Sequence, residues 1–362
     1  MFDIKKISAF ALSAFMAFAP TAVMAAGKAP VVTGDTPVVT NMTEITKHLE
    51  VAEGTTLPDL TFEFDFEATA PAEAPAITPV SVSYSNKDME TASFDATGKA
   101  VLEKKVNYTM PTFPHAGVYT YTLTEKGATT TTGEVINDTN SYTLNIYVEN
   151  KDNGLHVAAV DAKGNNGQKV NSILFTNQYV STSDLMINKT VEGAYGDLTK
   201  DFTFTLTFTK SPVTNVTDTK VIGTYVNKDQ MTTNIEFNYG EAKTFTLKHG
   251  ELLSFQTLPV GTRYVLSENG ETGYTPSVAV VEGTTQFTKN AKQNESLSAT
   301  QDGKKDNVIH TGTNTVHYTN TYKEITPTGI FMNNLPFMAM FAIGAGALVL
   351  LALTKRKHAS ER

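Results

Sequence analysis

The sequence predicts an all-β protein: two tandem β-sandwich domains between an N-terminal signal peptide and a C-terminal transmembrane helix. A set of residues recurs after about 143 positions, which indicates two homologous domains. Short runs of alternating apolar and polar residues, separated by turn clusters, are typical of half-buried strands. Outside the two ends, no long stretch has helical periodicity.

The first 26 residues are typical of a secretory signal peptide. Two lysines precede an apolar run from Ile7 to Ala19. Small residues then predict cleavage after Ala25 or Ala26. The alternative, a first core helix, fits poorly with the features of the C-terminal end. Residues 27–40 follow as a short linker.

Period-2 runs fill both predicted domains, residues 41–181 and 182–323. Because alternate side chains of a strand face the same way, such runs predict strands with one buried face. About a dozen residues separate the last motif of the first domain from the first motif of the second, which predicts end-to-end stacking. Examples of the runs are Leu60–Phe66, Val118–Leu123, Phe202–Phe208 and Thr244–Leu247.

Each domain carries one lysine, one glutamate and one asparagine at nearly the same spacing. The intervals are 78 and 52 residues in the first domain, and 79 and 52 in the second. When the segments are written as strands, all six side chains share a face with apolar neighbours and point inward. The two sets are Lys47, Glu125 and Asn177, and Lys189, Glu268 and Asn320.

These residue types predict a self-processing reaction. Burial lowers the pKa of a lysine and raises that of a glutamate, which favours a neutral amine beside a protonated acid. The acid can polarise the asparagine carboxamide while the amine attacks it and ammonia leaves. We therefore expect isopeptide bonds Lys47–Asn177 and Lys189–Asn320, assisted by Glu125 and Glu268. The alternative is a buried Lys–Glu ion pair with the asparagine making turn hydrogen bonds.

Composition excludes several other functions. There are no cysteines, so disulfides cannot stabilise an exported chain. Removing the signal peptide, net +1, and the segment from Gly329 onward, net +3, takes the formal charge from −8 to −12. An acidic chain without a basic stripe is not expected to bind nucleic acid. The histidines lack metal-ligand spacing, and no cofactor motif or turnover site is visible.

The C-terminal end combines a short motif, an apolar span and a basic tail. The span, residues 335–353, is long enough to cross a bilayer, and the tail, 354–362, favours the cytoplasmic side. The motif resembles a variant sortase sorting signal, which implies cleavage between Thr328 and Gly329. The alternative is a plain tail-anchored protein with a proline linker. The motif is Ile325-Thr326-Pro327-Thr328-Gly329.

Together these features resemble the backbone pilins of Gram-positive bacteria, in particular the streptococcal T-antigen type with collagen-adhesin B-type domains. The resemblance implies immunoglobulin-like sandwiches and a shaft subunit of a cell-wall pilus that supports adhesion. It also implies a lysine near the end of the first domain that a sortase joins to the next subunit. Lys169 matches that position best, with Lys163 as the alternative; the Trp-containing motif of some related pilins is absent.

The implied partners are identical subunits, minor pilins, a pilus-specific sortase, a housekeeping sortase, peptidoglycan and a host surface ligand. Two other functions remain open from the sequence. The chain could be a singly wall-anchored adhesin or a minor pilin at the base or tip that binds a host ligand. It could also be a surface enzyme, although no turnover site supports that reading.

Overall fold

The computed structural model describes residues 42–151, 154–214 and 217–322. The predicted signal peptide, linker, sorting motif, membrane span and basic tail lie outside these described residues. Within them, no helix is long and apolar enough to cross a bilayer.

Strands make up nearly all the regular structure, which confirms the all-β prediction. The single helix in the described ranges is α1 (Asn86–Met89), one turn long. Alternation along the strands sets the two faces, so that every second residue of the first strand is buried. A polar residue therefore enters the core only where it lies two positions from a buried apolar residue on the same strand.

The first sandwich consists of a four-stranded and a six-stranded sheet, with strand orders β4-β1-β10-β6 and β3-β2-β5-β7-β8-β9. The first and last strands, β1 and β10, are parallel neighbours, and Leu49 pairs with Asn177. Phe64 and Phe175, from opposite sheets, meet in the core with ring centroids 5.2 Å apart. The strands are β1 (Glu44–Ala52), β2 (Leu60–Ala70), β3 (Val80–Tyr84), β4 (Lys99–Asn107), β5 (Gly117–Lys126), β6 (Glu134–Ile136), β7 (Ser141–Lys151), β8 (Gly154–Lys163), β9 (Lys169–Val170) and β10 (Ile173–Val180).

The second sandwich repeats this plan with sheet orders β14-β13-β16-β11-β22-β18-β19 and β15-β12-β17-β20, and β21 also pairs with β17. Its first and last strands, β11 and β22, are again parallel neighbours. Phe204 and Tyr318 join the two sheets, with ring centroids 5.2 Å apart. The strands are β11 (Thr182–Glu192), β12 (Phe202–Thr209), β13 (Lys220–Val226), β14 (Thr232–Asn238), β15 (Lys243–Leu247), β16 (Leu252–Pro259), β17 (Arg263–Glu268), β18 (Tyr274–Glu282), β19 (Thr285–Asn290), β20 (Leu297–Ser298), β21 (Asn307–Val308) and β22 (Asn314–Tyr322).

A single residue, Ser181, separates β10 from β11, and the sandwiches contact each other around it. The Ser181 carbonyl accepts a hydrogen bond from the Val260 amide at 2.8 Å. Arg263 forms ion pairs of 2.6 Å with Glu53 of the first sandwich and with Asp306 of the second. These contacts restrict bending at the junction, because any rotation would break a half-buried ion pair.

Candidate functional site

The first candidate site begins with a lysine in the middle of β1. Lys47 lies between the buried Ile45 and Leu49 on the inward face of the strand, and none of it is exposed to solvent. Its ammonium nitrogen lies 4.4 Å from the centroid of the Phe62 ring. The amine therefore ends in an apolar pocket, where an aromatic face replaces part of the lost hydration.

The predicted partners of Lys47 meet it in this pocket. Lys47 Nζ lies 3.1 Å from Glu125 Oε2 and donates a hydrogen bond to Asn177 Oδ1 at 2.5 Å. Asn177 Nδ2 in turn donates to Glu125 Oε1 at 2.5 Å. The Glu125 side chain is 1% exposed. Amine, carboxyl and carboxamide thus close a buried triangle across both sheets of the sandwich.

The second candidate site has the same strand positions. Lys189 Nζ donates to Glu268 Oε1 at 2.7 Å and lies 4.0 Å from the centroid of the Phe202 ring. Asn320 is buried on β22, but its Oδ1 has no hydrogen-bond partner among the residues described. The lysine and glutamate are therefore paired as in the first site, whereas the carboxamide oxygen is not held.

Strand register explains why the same residues meet in both domains. In each, the residue two positions after the lysine pairs with the asparagine: Leu49 with Asn177, and Val191 with Asn320. Residues two apart on one strand face the same side, so lysine and asparagine project into the core next to each other. Lysine and asparagine, about 130 residues apart in sequence, are thus brought into contact by the pairing of the first and last strands.

Burial shifts the pKa of all four ionisable groups toward their neutral forms. Loss of hydration lowers the pKa of Lys47 and of Lys189 to about 8, although the paired carboxylate opposes this. The same desolvation raises the pKa of Glu125 and of Glu268, opposed by the lysine charge. A neutral amine beside a protonated acid is therefore accessible in both pockets near neutral pH.

The geometry of the first site fits aminolysis of the carboxamide. The amine lies against the carbonyl side of Asn177, while Glu125 contacts the nitrogen that would leave. Glu125 is thus placed to protonate the leaving nitrogen, a more specific role than the general polarisation expected from the sequence. In the second site, a buried ion pair alone would account for the contact between Lys189 and Glu268. In the first site an ion pair would not require a carboxamide, yet Asn177 is hydrogen-bonded to both Lys47 and Glu125.

Two residues of the first site were missed in the sequence. Asn177 Nδ2 also donates to Asn137 Oδ1 at 3.1 Å, and the Asp138 amide donates to Asn177 Oδ1 at 3.3 Å. Both residues follow β6, the short strand beside β10. The internal repeat could not reveal them, because the positions 143 residues later are Val280 and Val281. The repeat does align Phe62 and Phe202 approximately, so the aromatic ring beside each lysine could have been predicted from the sequence.

The two candidate linking lysines lie at one edge of the six-stranded sheet. Lys169 is in β9, the edge strand, and pairs with Lys163 at the end of β8. The Lys169 side chain is 67% exposed, with Nζ 3.9 Å from Asp161 Oδ2. Lys163 is exposed as well. Neither amine is engaged in the core, so both are open to an external reagent.

No group of three His, Asp or Glu side chains in the described part of the chain is placed to hold a metal ion.

Comparison with known proteins gives two family matches, one for each sandwich. Residues 43–180 match the Spy0128-like isopeptide containing domain, and residues 183–322 match a domain of unknown function, DUF7601. A pilin of Streptococcus pyogenes serotype M1 is 28% identical over 348 residues, which cover 91% of this chain and 95% of that protein. The chain is similar to this streptococcal pilin along nearly its whole length.

Solved structures of streptococcal pilins also match this chain. The major pilin of Streptococcus pyogenes is 25% identical, covers 77% of this chain and 97% of its own, and has a TM-score of 0.37. The T3.2 major pilin of the same organism is 22% identical, covers 78% and 99%, and has a TM-score of 0.36. The similarity to pilins rests on the sequence matches, which span both domains.

The pairing of amine and acid predicts a bell-shaped pH dependence for bond formation. The reactive pair holds one proton between the raised glutamate pKa and a pKa of about 8. Below this window the amine is cationic, and above it the acid has no proton to give to the leaving nitrogen. We expect the rate of ammonia loss to fall on both sides of this window when the chain, isolated unfolded and still uncrosslinked, is diluted from denaturant and followed by intact mass. A rate that continues to rise beyond pH 9 would show that no acid is needed.

Proposed function

We propose that this chain is the shaft subunit of a covalently polymerised, sortase-assembled pilus on a Gram-positive cell surface. Two internal isopeptide bonds, Lys47–Asn177 and Lys189–Asn320, would make each subunit resistant to tension. The observation that carries the proposal is the buried contact of Lys47 with both Glu125 and Asn177 between the first and last strands. Kinship with a streptococcal pilin over 91% of the chain supports the pilus function.

The bond-forming step is a single transamidation. The neutral Lys47 amine attacks Asn177 Cγ, and the carbonyl electrons move onto Oδ1. The proton lost from Nζ passes through Glu125 to Nδ2, the Cγ–Nδ2 bond breaks, and ammonia leaves. Glu125 regains its starting protonation state, so it acts as a catalyst in a reaction that occurs once per molecule. Glu268 would do the same for Lys189 and Asn320.

The position of the bonds suits a load-bearing function. In each sandwich the lysine strand and the asparagine strand are parallel neighbours and the first and last strands of the domain. Tension applied at the two ends of the domain would pass from one to the other through a covalent bond, and the hydrogen-bonded sheets would be bypassed. Closing a loop of about 130 residues would also stabilise each domain by about 5 kcal/mol on the chain-entropy estimate.

Assembly would join Thr328 of one subunit to a lysine of the next. In this proposal a pilus-specific sortase cleaves between Thr328 and Gly329 and transfers the acyl group to Lys169. Lys169 is favoured because its amine is exposed on an edge strand, where another chain can approach the open backbone. Minor pilins would cap the polymer, and a housekeeping sortase would attach it to peptidoglycan.

The internal bonds have a direct mass signature. Each bond releases one ammonia, so the purified protein should weigh about 34 Da less than its sequence predicts. Glu125→Ala and Glu268→Ala should each restore about 17 Da, because the amine then lacks its proton acceptor and donor. Glu103→Ala, at an exposed glutamate of β4, is the matched control and should keep both bonds. An unshifted mass in the unaltered protein rules out the crosslinks.

Polymerisation through Lys169 has a separate test. Lys169→Arg keeps the positive charge but removes the primary amine that a sortase needs. Cell-wall extracts of this variant should lose the ladder of high-mass species on denaturing gels and keep the 34 Da deficit in the monomer. Lys163→Arg is the control and should retain the ladder, whereas Thr328→Ala should abolish it. A ladder that survives Lys169→Arg and disappears in Lys163→Arg moves the linkage to Lys163.

A further inference from the structure

The segment after β6 grips the reactive asparagine through reciprocal hydrogen bonds. The Asp138 amide donates to Asn177 Oδ1 at 3.3 Å. Asp138 Oδ2 accepts from the amide of Thr176, the residue before Asn177, at 2.6 Å. Asn137 Oδ1 accepts from Asn177 Nδ2 at 3.1 Å. Both ends of the carboxamide, and the backbone that carries it, are therefore fixed by residues 137 and 138.

We propose that Asn137 and Asp138 complete the catalytic site for the Lys47–Asn177 bond: the Asp138 amide stabilises the oxyanion, and Asn137 orients the leaving group. The inference rests on the isopeptide reaction proposed above and adds residues that the repeated triad does not contain. In this proposal a backbone N–H stabilises the oxyanion, and substitutions of the triad residues would not reveal that function.

The reaction explains why a donor is needed at this atom. When the amine of Lys47 attacks Cγ, a full negative charge develops on Asn177 Oδ1 inside an apolar pocket. A donor already directed at that oxygen stabilises the charge without reorganisation, which is the function of an oxyanion hole. As Lys47 Nζ becomes bonded to Cγ and loses its proton to Glu125, its own hydrogen bond to Oδ1 is lost. The Asp138 amide is then the neutral donor left on the oxygen.

Asn137 controls the direction in which the carboxamide points. By accepting from Nδ2, it favours the rotamer with the oxygen toward Lys47 and the nitrogen toward Glu125. Gly127, two residues after Glu125, leaves space for it: a Cβ at Gly127 would lie 2.5 Å from Asn137 Cγ. The absence of a side chain at Gly127 is thus part of the same arrangement.

The second domain has no equivalent segment in its described residues. The strand beside β22 is β18, a long strand in which Pro276 pairs with Asn320 and cannot donate a backbone hydrogen bond. Asn320 Oδ1 is correspondingly buried without a partner. The Lys189–Asn320 bond must therefore form without this donor, which makes it an internal control within the same molecule.

The test separates the Asp138 N–H from the Asp138 carboxylate. Asp138→Pro deletes both, Asp138→Ala deletes only the carboxylate that accepts from the Thr176 amide, and Asp138→Asn keeps the donor and a side-chain oxygen for that amide. Asn137→Ala removes the acceptor for Nδ2. Each full-length variant is isolated unfolded, before either bond has formed, and is then diluted from denaturant, and peptide mapping follows the 17 Da loss at each bond over time. Limited proteolysis with mapping of the cleaved peptides reports whether the first domain has folded, because tyrosines lie in both domains.

We expect Asp138→Pro to slow formation of the Lys47–Asn177 bond at least about 10-fold, since one oxyanion donor is worth about 10² to 10³ at ideal distance. Asp138→Asn should stay within about twofold of the unaltered protein, or react faster, because it removes a negative charge beside the oxyanion. Asn137→Ala should slow the same bond about 3-fold or more through loss of orientation. The Lys189–Asn320 bond should form at an unchanged rate in every variant.

An unaltered rate at Lys47–Asn177 in folded Asp138→Pro overturns the oxyanion assignment. If the proline variant does not fold its first domain, Asn137→Ala decides, and an unaltered rate there overturns the proposal. Slowing by Asp138→Ala equal to that by Asp138→Pro also contradicts it, because Asp138→Ala keeps the N–H and the segment would then act only as a structural clamp. Failure of the isopeptide reaction itself is distinguishable, since neither bond would form in the unaltered chain.

Discussion

The burial of a lysine amine against a glutamate, between the first and last strands of each sandwich, is the constraint on which the rest of the structure depends. An isolated charge in such a pocket costs several kcal/mol, so the amine must pair, lose its proton or react. The surroundings of Lys47 and Lys189 allow each of these outcomes. An aromatic ring lies against the nitrogen, a carboxyl group lies beside it, and the neighbouring strand carries a carboxamide.

The two domains solve this problem with the same register but with different support. Parallel pairing of the terminal strands brings lysine and asparagine together in both. In the first domain a short strand and its following loop hold the carboxamide from the outside; in the second a long strand occupies that place. The shared part is what the proposed covalent link requires, and the variable part is where we propose that the rates of bond formation differ.

The sequence predicted the fold class and the inward placement of the two triads because both depend on the alternation of side chains along a strand. A side chain two residues from a buried neighbour must face the same way, so Lys47, Glu125 and Asn177 could be placed inward without coordinates. Asn137 and Asp138 could not be found in this way, because a loop position has no parity and the repeat has valines there. The ion pair of Arg263 with Glu53 depends on how two domains meet, which no local pattern encodes.

Pulling a single molecule by its termini tests the central claim most directly. If lysine and asparagine are joined in both domains, force cannot extend the roughly 130 residues between them. The trace should then lack the steps of about 450 Å that unfolding such a segment would release at 3.3–3.6 Å per residue. A double variant, Glu125→Ala with Glu268→Ala, should show both steps. Steps of that length in the unaltered protein would contradict the account.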